Sequence, residues 1–89
     1  MRLVRYTARF RQDYKRMQKR GNDMQRLRTV IQKLADKEPL EPRYRDHPLI
    51  GRHAGARDCH ISPDWILIYA TVGNELRLIR TGSHSDLFA

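Results

Sequence analysis

Between Asp46 and Tyr69 the sequence reads DHPLIGRHAGARDCHISPDWILIY, a stretch that gathers three of the four histidines, Asp58, Asp64, two arginines and the single tryptophan. Imidazole titrates near neutral pH, so histidines beside carboxylates and guanidiniums can exchange protons and hold an anion. Arg80 and His84 extend this set downstream, in LRLIRTGSHSDLF. For His47, His60, Asp64, Arg80 and His84 three chemistries can be weighed. Zinc ligation lacks its spacing, because there is neither an H-x-x-x-H pair nor a CxxC. A serine hydrolase lacks its elbow, because no G-x-S-x-G surrounds Ser62, Ser83 or Ser85. Metal-free cleavage of RNA remains. RNA carries its own nucleophile, the 2′-hydroxyl, so the protein need supply only a base, an acid for the departing 5′-oxygen and a cation for the charged phosphate. Histidines or a carboxylate fill the first two roles and Arg80 the third, with no cofactor. Taken one at a time, each histidine also reads as an ordinary surface or hydrogen-bonded residue.

Composition narrows the partner. Against 10 Asp and Glu the 89 residues hold 18 Lys and Arg, a formal charge of +8, which calls for a polyanion, nucleic acid first. Arg11, Lys15, Arg16, Lys19 and Arg20 share one predicted helix and can grip a phosphate backbone; the plain alternative is a solvated face. A membrane partner is disfavoured. Trp65 lies in a strand pattern, not at the edge of an amphipathic stripe, and no apolar run approaches the ~20 residues of a span. The N-terminal MRLVRYTARFRQ has no signal-peptide core, and the lone Cys59 fits a reducing cytosol, so a cytoplasmic protein is expected. Strand alternation turns Cys59 away from Asp58 and His60, as a buried thiol. Trp65 is by default a core residue. Phe88, next to the C-terminus, offers a face on which a base can stack, worth about 1–3 kcal/mol.

These residues need a scaffold, and the periodicities supply one. Arg2 to Tyr6 alternates as a short strand with Leu3 or Val4 entering the core. Thr7 caps a helix running to about Arg20, with Phe10, Tyr14 and Met17 on one stripe and Gly21 as its stop. Asn22 caps a second helix, with Gln25 in capping-box position, and Pro39 ends it. From Lys37 to Gly55, Pro and Gly recur too often for regular structure, and a loop that long is expected to be functional. Ala56 to Ile61 forms a strand, Ser62 to Asp64 a turn, Trp65 to Thr71 a central strand apolar on both faces, and Glu75 to Arg80 a last strand after the Gly73–Asn74 turn. The order β-α-α-β-β-β predicts an α+β fold: a single domain over residues 1–89, with a two-helix hairpin on one face of a small, mostly antiparallel sheet and the other face open. Strict alternation places Arg80 with Leu76 and Leu78, so either those leucines line the cleft or the strand bulges before Arg80.

The motifs D-H-P-L-x-G, R-D-x-H-I-x-P-D-W-I-L-I-Y and R-T-G-[ST]-H-x-x-L-F resemble those of the RelE/ParE superfamily of bacterial toxins, and within it the YafQ-like messenger-RNA interferases. The resemblance is close from Asp46 to Phe88 and looser upstream. It implies the sandwich already deduced, and an endoribonuclease that cuts messenger in the A site of the 70S ribosome until an antitoxin silences it. It further implies His84 as general acid, Asp64 or His60 as base, Arg80 against the transition-state charge, His47 in support, and Phe88 with Trp65 positioning the nucleotide. Ser83 stands where Thr is more familiar. Two other functions stay open: the gyrase-poisoning ParE branch, against which the histidines and Phe88 argue, and a basic nucleic-acid-binding module without catalysis. A charge of +8 leads us to expect an acidic cognate antitoxin.

Overall fold

A computed structural model describes residues 1–51 and 54–88. Arg52 and His53, which belong to the histidine-rich stretch and the Lys37–Gly55 loop, lie outside the described residues. The chain runs β1 (Leu3–Tyr6), α1 (Ala8–Lys19), α2 (Met24–Ala35), a 3₁₀ turn (Pro42–Tyr44), β2 (His47–Pro48), β3 (Arg57–Ser62), β4 (Trp65–Val72), β5 (Glu75–Gly82) and α3 (His84–Phe88). The strands form one sheet in the order β1-β5-β4-β3-β2, parallel between β1 and β5 and antiparallel elsewhere. The predicted α+β sandwich is present, with three additions: the 3₁₀ turn and β2 inside the loop read as irregular, and α3 at the C-terminal end.

Thr7 caps α1 as predicted, its hydroxyl accepting from the Phe10 N–H at 2.9 Å. Gly21 ends α1 in the left-handed conformation (φ 85°), which a side chain would oppose. The cap of α2 is Asp23, not Asn22; its carboxylate accepts from the Gln25 N–H at 3.1 Å. Pro39 comes too late to stop α2. Lys37 stops it by turning left-handed (φ 61°), so that Glu38 N–H donates to Lys33 O at 2.9 Å.

The helices bury Phe10, Met17, Leu27, Val30 and Leu34 against Cys59, Trp65, Leu67, Tyr69, Leu76 and Leu78 of the sheet. The N-terminal strand departs from expectation: Leu3 and Val4 are 59% and 43% exposed, because β1 is an edge strand that α1 does not cover. The second face is not bare either. Ala56, Ile66 and Ile68 form a small cluster there, under Leu49, Ile79 and Leu87. Among the described residues no helix is long and apolar enough to cross a membrane.

Candidate active site on the second face of the sheet

Register decides which side chains meet. His47 on β2 pairs with Asp58 on β3, Asp58 with Ile68 on β4, and Ile68 with Arg80 on β5; the next row holds His60, Ile66 and Gly82. Paired residues share a face, so His47, Asp58 and His60 point away from the helices while Cys59 points into their core. Burial pushes the Cys59 thiol above its ordinary range, as suits a packing residue. Between Leu78 and Arg80 the β4–β5 register shifts by one residue. This bulge resolves the alternation problem, leaving Leu76 and Leu78 under the helices and Ile79 on the second cluster.

The His47 Nδ1 lies 2.6 Å from the Arg45 carbonyl, so that nitrogen donates and the Nε2 is directed at Asp58, 2.9 Å from its Oδ1. Asp58 is 4% exposed, and its Oδ1 accepts no aligned hydrogen bond from the described residues. Burial raises the Asp58 pKa; the charges of His47, His60 and His84 pull it back only in part. The result is a buried carboxyl facing the His47 ring, within electrostatic reach of His60 and His84.

Gly82 explains how His84 arrives there. It is opposite Ile66, and a Cβ at this position would stand 2.9 Å from the Asp86 Cβ and 3.2 Å from the Arg16 Nη2. Without one, α3 folds back against the strand. Ser83 and Asp86 then cap each other: Ser83 N–H donates to Asp86 Oδ2 at 2.9 Å, and Asp86 N–H donates to Ser83 Oγ at 3.1 Å. Arg20 clamps Asp86 from α1 at 2.7 and 3.1 Å, and holds its carboxyl well below the usual range. Asp64 adds a third hold, accepting from the His84 N–H at 3.1 Å. His84 and Phe88 sit one helical turn apart with ring centroids 5.1 Å apart, and both are exposed.

Arg80 is placed differently. Its Nε and Nη2 donate to the two oxygens of Asp13 at 2.6 and 3.2 Å, leaving Nη1 for an anion. Asp13 is 2% exposed; it also accepts from Arg16 at 2.8 Å and from the Thr81 N–H at 3.2 Å. Trp65, expected beside the nucleotide, is instead 2% exposed on the helix side and donates to Thr81 Oγ1 at 2.9 Å, so its ring offers no stacking face. Arg11 and Lys15 line a separate groove with Tyr6, Phe10 and Tyr14, and share no wall with the histidines. Lys19 is exposed on α1.

Asp58 and Asp13 went unassigned in the sequence. Asp13 carried a signal: as the only acid of the basic N-terminal block it falls between Phe10 and Met17 on the buried stripe. Asp58 had only its alternation with His60, since nothing announces a two-residue strand bearing His47. No group of three His, Cys, Asp or Glu among the described residues is arranged to hold a metal.

The family model described as bacterial toxin of type II toxin-antitoxin system, YafQ, matches residues 2–89. The chain belongs to the YafQ toxin family. The mRNA interferase toxin YafQ of Escherichia coli K12 is 43% identical over 86 residues, which cover 96% of this chain and 94% of that one. Among solved structures, YafQ in the E. coli DinJ-YafQ complex superposes with a TM-score of 0.92 at 42% identity over the whole of both chains. A metal-bound toxin from Helicobacter pylori gives a TM-score of 0.92 at 41% identity, covering 99% of this chain and 100% of that one. The fold of this YafQ-family chain is thus shared with these toxins over its whole length.

Proposed function

We propose that the chain is an endoribonuclease, an mRNA interferase toxin of a type II toxin-antitoxin pair, which cuts messenger in the ribosomal A site without a metal. The observation that carries this reading is Asp58 buried among His47, His60 and His84, with the His84 ring against Phe88, in a family whose E. coli K12 member is named an mRNA interferase. In the reaction a base removes the 2′-hydroxyl proton, the 2′-oxygen attacks the adjacent phosphorus, and the bond to the 5′-oxygen breaks as the acid protonates it. The products are a 2′,3′-cyclic phosphate and a 5′-hydroxyl.

His60 is the base and His84 the acid. Asp64, the other candidate base, already accepts from the His84 N–H and so serves to hold the acid in place. His47 supports the proton work from its place 2.9 Å from the buried Asp58 carboxyl. The Arg80 Nη1 answers the phosphate charge, its remaining donors being fixed by Asp13. Phe88 supplies the stacking face.

The partners are the 70S ribosome with its messenger and an acidic cognate antitoxin, in the cytoplasm. The E. coli relative's complex with DinJ supports the antitoxin, and a charge of +8 favours acidic contacts that speed encounter. The test is primer extension on messenger from cells expressing the chain. Cuts in frame with codons are expected, and a soluble, folded His84→Ala variant should make none. Growth arrest with intact messenger and inhibited gyrase would replace this reading with the ParE-like one.

A further inference from the structure

A cavity of about 320 Å³ opens at the end of β3, on the helix side of His60. His60 and Pro63 form one wall, and Tyr44 with Arg43 and Arg45 the opposite one, while Arg26 of α2 completes it. Three arginines thus line it, Arg26 from α2 and Arg43 with Arg45 from the 3₁₀ turn and its cap. Arg43 is fixed there: its charge centre sits 4.9 Å over the Tyr44 ring, its Nη2 donates to the Tyr44 hydroxyl at 3.0 Å, and Glu41 balances it at 3.3 Å. Arg26 and Arg45, both exposed, have no carboxylate partner among the described residues. The cavity is joined to the candidate active site twice, through His60, which borders both, and through the Arg45 carbonyl that holds His47 Nδ1.

We propose that this cavity is a nucleotide subsite, which seats the residue next to the cleaved phosphodiester with its phosphate on Arg26 and Arg45 and its base against Pro63 and the exposed Arg43 guanidinium that lies over the Tyr44 ring. A proline ring and a guanidinium plane suit a base, and guanidiniums without a carboxylate partner suit a phosphate. An acidic peptide would use the arginines but leave these walls and the link to His47 without purpose. The inference rests on the RNA-cleavage reading for its meaning, yet it can be tested apart from it.

The probe is a fluorescent six-nucleotide 2′-O-methyl RNA, which cannot be cut, titrated with the full chain over a range of salt. Each phosphate contact to a single strand contributes about 0.7 to the slope of log K against log salt. The double variant Arg26→Gln/Arg45→Gln removes the one phosphate contact, so it should lose about 0.7 from that slope and bind at least about tenfold more weakly. Arg26→Lys/Arg45→Lys should restore the slope. In cleavage on programmed ribosomes the Gln pair should raise the half-saturating concentration, whereas His84→Ala should still bind the methylated strand. Unchanged affinity and slope in the Gln pair would overturn the subsite, as would failure of the wild-type chain to bind the probe. So would a Gln pair that keeps the RNA but loses a glutamate-rich peptide. If the wild-type chain binds with the stated slope yet never cuts messenger, the subsite stands and the nuclease reading falls.

Discussion

Asp13 is the residue whose removal should do most damage for its distance from the histidines. Its carboxylate is buried and accepts from Arg80 twice, from Arg16 and from the Thr81 N–H; Thr81 in turn accepts from Trp65 Nε1 and donates to the Ile66 carbonyl. Asp13→Ala leaves Arg80 without its hydrogen-bonded counter-charge in a largely buried position, with only the Asp86 charge acting on it from a distance, and strands the Thr81 N–H at the edge of β5. Breaking a buried ion pair by removing one partner costs about 3–5 kcal/mol. A domain of 89 residues is stable by roughly 4–13 kcal/mol, so the loss is a large share of the total. The melting temperature should fall by at least about 12 °C, at ~4 °C or more per kcal/mol for a domain near this size. Removing Arg80 as well should return part of the loss, because the uncompensated charge goes too; a double-mutant cycle in urea should give a coupling of about 1.5–3 kcal/mol. An Asp13→Ala variant within 1 kcal/mol of wild type, or strict additivity with Arg80→Ala, would refute the assignment of Asp13 as the anchor of Arg80.

Asp58→Asn tests the buried carboxyl. Because burial raises its pKa, the native state keeps a proton that the unfolded chain releases. Wild-type stability should therefore fall as pH rises from the ordinary carboxylate range through the raised value, and urea melts of wild type and variant should differ in slope there. The variant should be at least as stable as wild type at neutral pH while cutting messenger at least about tenfold more slowly; a variant with wild-type pH dependence removes the raised carboxyl from the account. Gly82→Ala brings a Cβ within 3.0 Å of both the Asp86 Cβ and its Oδ2. It should displace α3 and abolish growth arrest while the rest of the sheet persists, and unchanged amide shifts over His84–Phe88 would contradict this. EDTA should leave cleavage rates as they were, since Arg80 and the imidazoles serve the transition state; loss of activity restored by zinc or magnesium would reject the metal-free mechanism.

Much of the molecule was legible because local chemistry and periodicity are written in adjacent residues. Thr7 before the Phe10–Met17 stripe, Gly21 after it, the two-sided apolar run of β4 and the Gly73–Asn74 turn each specify their element within a few positions, and the fold class follows from their order. The nature of the site was legible for a related reason: clustered histidines beside carboxylates and a basic chain restrict the chemistry whatever the fold. The contacts made across strands and layers were not legible. His47 meets Asp58 only through a two-residue pairing, a bulge shifts Arg80 into the row of Ile68 while its guanidinium still reaches Asp13 of α1, and Asp64 holds His84 through a backbone N–H. The family resemblance implied a role in binding for Trp65, but alternation along β4 sends its ring into the core between helices and sheet, as its default reading had it. Sequence names the groups and their local geometry; which of them touch depends on register and layer packing, set by residues up to 72 positions apart.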